Sequence, residues 1–327
     1  MTISIKKTRP ATSEEWDFIW KNCDYSTYFH SREWAEIWNS YNPGIMHPEP
    51  KMVIFSDGKE ALLPLSSWDT PKGLTKNFIS SPAGTYGGWI AAEELHLEHA
   101  AALAGYLTKK CGNISWRLNP YEELAFKTKI RPTRDDETQT LDLTEGFEVL
   151  YKRWTKGHRS AAQKARREGV GIKPASAVED WQAYYQTYED SMRRWGEKAT
   201  SRYRWELFET MFRRNSPFIK LWLAVYREAI VGGALCFYAK KHVVYWHGAT
   251  LEEYFALRPN HLLMYECIKA AFEEGYKWFD FNPSGGFKGV KAFKEGFGTK
   301  ALKCPVIEIE TTRSKIIKKL KGIFRYR

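Results

Sequence analysis

The chain has 327 residues, 43% hydrophobic and 27% charged, with 50 Lys+Arg against 39 Asp+Glu and a net charge of +11. That length exceeds one ordinary domain and suits two, and the composition excludes a disordered chain. Residues 1–150 hold 16 basic and 21 acidic side chains, whereas residues 151–327 hold 34 and 18, so the positive excess lies in the half expected to meet phosphate, nucleic acid or an anionic surface.

In the first half, a helix is predicted over Ser13–Trp20 with Ser13 as N-cap, and a second over Ser31–Tyr41. Met52–Phe55 and Ala61–Trp68 read as strands, and Asp57-Gly58 marks a hairpin turn between them. After the small-residue loop Ser80–Trp89 come a helix over about Glu94–Cys111 and a strand, Ile114–Leu118, that closes on Asn119-Pro120. In the second half a basic helix is expected over Tyr151–Glu168, then helices over about Glu179–Trp195 and Arg204–Arg214. Phe218–Tyr226, Ile230–Tyr238 and His242–Ala249 read as three consecutive antiparallel strands. A helix over about Asn260–Glu274 stops at Gly275, and a strand, Trp278–Phe281, closes on Asn282-Pro283. Both halves thus share one grammar, a weak internal repeat that two unrelated α/β units with common turn residues would also produce.

The longest apolar run, Val231–Ala239, is about half a bilayer span, and Met1–Pro10 has no apolar signal region. The five cysteines, Cys23, Cys111, Cys236, Cys267 and Cys304, are scattered and form no CxxC pair. These features predict a reduced, cytoplasmic protein with no structural metal.

The order of helices, antiparallel strands, helix and strand resembles the GNAT acyltransferase fold, in which the fourth strand splays from the fifth to admit an acyl donor. Two such units, mixed α/β (α+β) with mainly antiparallel sheets, are expected. That family's pyrophosphate signature, [Arg/Gln]-x-x-Gly-x-[Gly/Ala], matches Arg166-Arg167-Glu168-Gly169-Val170-Gly171. The match falls at a helix C-terminus, where the dipole presents negative charge. The position after the His242–Ala249 strand reads Leu257-Arg258-Pro259-Asn260-His261-Leu262, with no glycine to allow close backbone approach.

His158-Arg159-Ser160-Ala161-Ala162-Gln163-Lys164-Ala165-Arg166-Arg167-Glu168-Gly169-Val170 resembles a helix of FemABX-type transferases, usually written N-R-R-N-I-R-K-A-E-K-E-G-V. Gly232–Leu235, Tyr245–Ala249, Leu257–Leu263, Phe279–Phe281 and Phe293–Gly298 follow in that family's order, as do Phe29–Trp34 and Tyr86-Gly87-Gly88 in the first half. The resemblance implies a tandem GNAT fold that passes an aminoacyl group from aminoacyl-tRNA to an amine of a peptidoglycan precursor, without a coiled-coil insertion. It divides the chain into an acceptor-side domain (1–150), a donor-side domain (151–312) and a basic C-terminal helix (313–327) that packs back on the first domain. That helix is also suited to an anionic membrane surface at the inner face.

Lys152, Lys156, Arg159, Gln163 and Arg166 fall at helical spacing on one face, suited to phosphate or simply to solvent. The resemblance makes Arg159 an anchor for the acceptor's phosphate. It places Lys294 near the reacting centre, where a cation stabilises an oxyanion or a terminal phosphate. Asp280 is a candidate proton acceptor, although a mid-strand acid is commonly structural. His247 and Tyr245 are expected to share one face of their strand, with Trp246 beside them, and His247 suits proton shuttling. Arg258, Asn260, Asn282 and Phe293 are expected at the cleft, and Tyr86-Gly87-Gly88 resembles an acceptor loop. No cofactor is expected. A competing expectation is a CoA- or acyl-carrier-dependent N-acyltransferase of an envelope or capsular amino sugar, and a more distant one is a non-catalytic nucleic-acid-binding module.

Overall fold

The computed structural model describes residues 3–69, 76–109, 111–199, 202–311 and 314. Its strands and helices run β1 (Ile5–Pro10), α1 (Ser13–Asn22), α2 (Arg32–Tyr41), β2 (Met46–Phe55), β3 (Glu60–Asp69), β4 (Lys76–Ile79), β5 (Tyr86–Gly87), α3 (Leu97–Lys109), β6 (Asn113–Leu118), α4 (Glu123–Lys127), β7 (Glu137–Asp142) and α5 (Phe147–Arg153). There follow α6 (Lys156–Arg167), β8 (Gly171–Pro174), α7 (Val178–Trp195), α8 (Trp205–Arg214), β9 (Ile219–Tyr226), β10 (Ala229–Tyr238), β11 (His242–Thr250), α9 (Pro259–Glu273), β12 (Trp278–Asp280), α10 (Lys288–Glu295), β13 (Lys300–Lys303) and β14 (Val306–Ile309).

Two compact units form, Met1–Asp136 with Lys303–Arg327, and Glu137–Leu302. The boundary expected at 150/151 therefore falls at 136/137, because Leu141, Leu143, Phe147 and Leu150 are buried in the second unit's core. The chain re-enters the first unit at Lys303, where Val306 and Ile307 are buried on β14. The expected C-terminal helix, and with it the predicted membrane contact, lies outside the described residues except for Ser314.

The two sheets have one topology. The first runs β1-β2-β3-β4-β6-β14, antiparallel throughout except for the parallel β4–β6 pair. The second runs β8-β9-β10-β11-β12-β7, again antiparallel except for the parallel β11–β12 pair, with β13 beyond β7. In each unit the parallel pair is joined by a long helix, α3 or α9. The sixth strand of each sheet comes from outside that unit's βα run: β14 from the end of the chain, β7 from the connector.

Local chemistry explains several departures from the expected elements. The N-cap of α1 is Thr12, whose side chain accepts from Glu15 N while Glu15 caps back, a capping box that Ser13 has no partner to make. β2 starts at Met46 rather than Met52; Pro48 and Pro50 precede the stretch where β1 pairs, so their missing N–H groups cost no ladder bond there. The helix expected over 151–168 is two helices. Trp154 leaves helical geometry with its indole buried, and Thr155 starts α6 by accepting from His158 N.

The first unit's core carries most of the buried tryptophan among the described residues: Trp16, Trp20, Trp34, Trp38, Trp89 and Trp116. Trp34 and Trp38, one helical turn apart, meet edge to face at 5.6 Å.

Candidate active site in the second unit

β11 and β12 pair only over His242–Val244 and Trp278–Asp280, after which β11 runs on to Thr250 paired with β10 but not with β12. β12 ends at Asp280, and Asn282, at φ +60°, turns the chain away. The two strands thus part beyond Val244 and Asp280, the splay expected between the fourth and fifth strands of a GNAT-like sheet. In the first unit the corresponding gap is closed, because β5 takes up pairing with β6 at Arg117–Leu118 where β4 stops.

The register between β10 and β11 skips one residue: Leu235 faces His247 and Cys236 faces Tyr245, with Trp246 between. This bulge overturns the expectation that Tyr245 and His247 share a face. Tyr245 turns to the α9 side, edge-on to Phe281 at 6.3 Å, and its hydroxyl fills the space that a Cβ on Gly248 would need. Burial raises its pKa. His247 turns to α7, its Nδ1 2.6 Å from the Tyr184 hydroxyl and its ring 4.5 Å from Tyr188. Desolvation lowers its pKa to about 4, so the ring is neutral at pH 7. Trp246 stacks on Tyr203 at 5.2 Å.

Asp280 and Lys294 meet at the strand end. Asp280 is fully buried; its Oδ1 accepts from the Thr138 hydroxyl and, at 2.7 Å, from Asn282 N. Lys294 is 5% exposed, and its Nζ donates to the carbonyls of Asn282 at 2.7 Å and Pro283 at 3.3 Å. Together they fix the backbone where the splay opens, with the ammonium held beneath the turn rather than projecting freely from it.

The expected phosphate-binding face is shorter than the spacing suggested, because Lys152 belongs to α5. Arg159 Nη1 donates to the carbonyls of Lys152 and, at 2.7 Å, Trp154, closing the end of α5. Arg166 pairs with Glu266 at 2.8 Å and lies over the Tyr265 ring, and Gln163 is exposed. The signature-like Gly169 (φ +89°) ends α6, as the helix-terminus argument expects. At the start of α9, Arg258 is exposed in the left-handed region at φ +62° and Pro259 is the first helical residue; Asn260 Oδ1 accepts from the Thr250 hydroxyl.

Two residues given no role from the sequence lie in this cluster. His158 Nε2 is 2.9 Å from the Phe293 carbonyl, its ring packs on Phe297, and a Cβ on Gly296 would overlap it. His261 lies 4.7 Å from His158 and 5.2 Å from Phe293, with its Nδ1 buried and unpartnered. Its pKa is lowered to about 4, by burial first and then by His158 and Arg258. The available signal was the glycine at 296, the small residue that lets an imidazole dock.

The structure brings Tyr245, Asp280, Asn282, Phe293 and Lys294 to one end of the second unit. Tyr86, Gly87 and Gly88 belong to the first unit's interior. There Tyr86 is fully buried against Phe29, and the Gly87 carbonyl accepts from Trp116 Nε1 at 3.1 Å. Among the described residues no group of three or more His, Cys, Asp or Glu side chains is placed to hold a metal, and no helix is long and apolar enough to cross a membrane.

Residues 152–295 match the profile of the acetyltransferase (GNAT) domain. The crystal structure of FemX superposes with a TM-score of 0.72 over 96% of this chain and 99% of that one, at 15% identity. The C-terminal domain (DUF2156) of a putative lysylphosphatidylglycerol synthetase from Agrobacterium fabrum superposes with a TM-score of 0.59 over 95% of each chain, at 13% identity. In sequence, 76 residues are 37% identical to a lipid II:glycine glycyltransferase of Staphylococcus haemolyticus (strain JCSC1435), a stretch covering 21% of this chain and 18% of that protein. The splayed second sheet and the match over residues 152–295 agree on a GNAT-like fold for the second unit. Across the whole chain the fold is similar to that of FemX, with two GNAT-like units.

Proposed function

We propose that this protein transfers an aminoacyl group from aminoacyl-tRNA to an amine of a peptidoglycan-like cell-envelope precursor. The observation that carries the proposal is the open β11–β12 splay in a chain whose sequence is similar to a lipid II:glycine glycyltransferase. The donor ester is already activated, so attack by the amine needs positioning, a proton acceptor and help for the tetrahedral oxyanion, but no covalent enzyme intermediate. Tyr245 offers a hydroxyl without a partner among the described residues, and Asn260 an amide at the start of α9. Lys294 holds the Asn282–Pro283 carbonyls, so it acts on the reacting centre by fixing that turn and by its charge. The resemblance supports tRNA as donor, and the basic second half supports phosphate-bearing substrates at the cytoplasmic face.

CoA-dependent transfer is the second reading, favoured by the acetyltransferase profile. Against it stands Arg258, a side-chain-bearing residue at the left-handed position before α9 where a pyrophosphate cradle uses glycine. Incubation with labelled aminoacyl-tRNA or labelled acyl-CoA, each with an amine acceptor extract, separates the two by the source of transferred label. tRNA binding with no transfer from either donor refutes both. Lys294→Ala is expected to abolish transfer while the protein stays folded, and an unchanged rate removes Lys294 from the site.

A further inference from the structure

We propose that Trp195 and Phe287 form an aromatic gate over the open end of the splay and control which amine-bearing acceptor enters it. This rests on the acyltransferase reading above. The last turn of α7 is tied to the far end of β11, since Arg194 Nη2 donates to the Thr250 carbonyl at 2.9 Å and its guanidinium lies 4.7 Å over Phe255. Trp195, the next residue, is the last of α7 and its side chain is exposed, at 38%. On the opposite side the chain leaves β12 through Asn282 and Pro283, pinned by Lys294, and enters the turn Ser284–Phe287. Phe287 N donates to the Ser284 carbonyl at 3.1 Å, and Gly285 and Gly286 take φ +59° and +82°. Two successive positive φ values make glycine the fitting residue at both central positions. The turn presents Phe287 to Trp195, edge to face, with ring centroids 4.8 Å apart.

One ring contact thus reaches from the β11 side to the β12 side at the end where the strands no longer pair. A glycine flanks each ring. Gly196, at φ +53°, follows Trp195, and a Cβ on Gly286 would meet nothing within 4 Å. A single ring pair of this kind, Trp195 exposed and Phe287 half-buried, is weak enough to open thermally and specific enough to close again. Neither ring contributes to the buried cluster of the second unit.

The test needs no substrate. All five native cysteines are buried, so a Tyr245→Cys reporter, at the first β11 position past the paired stretch, is labelled with a small maleimide in otherwise wild-type, Trp195→Ala, Phe287→Ala and Trp195→Phe backgrounds. Removing either ring is expected to speed labelling about fivefold, and Trp195→Phe, which keeps an edge-to-face partner, to restore the slow rate. Equal rates in all four backgrounds overturn the gate. Asn260→Cys carries the same comparison should Tyr245→Cys not fold. With transfer measurable, the alanine variants are expected to change KM for the acceptor and leave KM for the donor, and equal changes in both overturn acceptor control. Labelling is read whether or not transfer occurs, so failure of the aminoacyltransferase proposal leaves the gate tested.

Discussion

At the scale of single residues, burial acts on histidines in both units. His247 and His261 in the second unit and His30 in the first are all held at a pKa of about 4, in each case chiefly by loss of water. An unfolded chain binds a proton on each near pH 6.5, whereas the folded chain resists until about pH 4. The native state therefore binds fewer protons between those values. Stability is fully present above about pH 6.5 and falls as the pH drops toward 4. Urea midpoints measured from pH 7.5 to 4 are expected to fall across that window. His247→Phe keeps a ring among Tyr184, Tyr188 and Phe208 and removes one titrating group, so its slope is expected to be shallower, and an unchanged slope places the His247 pKa elsewhere. The resemblance places Lys294 near the reacting centre, and Asn282 and Phe293 are expected at the cleft beside it. It assigns nothing to His158 and His261, since their meeting depends on α6 packing against α9 and α10, with His158 and His261 themselves 103 positions apart.

At the scale of elements, α6 is anchored by how it starts. Thr155 caps it, and the His158 ring in its first turn seats over Gly296 at the end of α10, bonded to the Phe293 carbonyl. A methyl at position 296 would overlap the imidazole, so Gly296→Ala is expected to destabilise the protein by about 1–3 kcal/mol. His158→Ala in the same chain is expected to recover part of that loss, because the clash disappears with the ring. A double-mutant cycle in denaturant checks it, and strict additivity would show that the two residues do not touch. The same contact explains why the basic helix is misread as continuous from Tyr151. Helical spacing carries across Trp154, but burial of that indole and the Thr155 cap break it. Long strands with apolar alternation, such as β9 and β10, are legible from sequence. β7, β8, β13 and β14 are four to six residues long, and sheet partners rather than their own pattern make them strands.

At the scale of the whole molecule, each sheet is completed by a strand that the chain order assigns to the other half. That is why the midpoint boundary, plausible on charge and on the repeated Asn-Pro punctuation, misplaces two segments. A second unit cut at 151 loses β7, which pairs with β12 through Leu141 opposite Phe279 and Thr140 opposite Asp280. It also loses Thr138, whose hydroxyl bonds the Asp280 carboxylate, and the buried Leu143, Phe147 and Leu150. Several large apolar side chains and a buried carboxylate's partner go together, a loss large against the usual stability of a domain. A fragment spanning 137–302 is therefore expected to melt cooperatively by circular dichroism, and one spanning 151–312 is expected to show no cooperative transition. The second fragment also carries β14 without β6, so Val306 and Ile307, buried in the intact chain, face water. Cooperative melting of 151–312 with a midpoint matching that of 137–302 would mean that β7 decorates the second sheet without completing it. The candidate site would then have to be held at Asp280 by Asn282 and Lys294 alone.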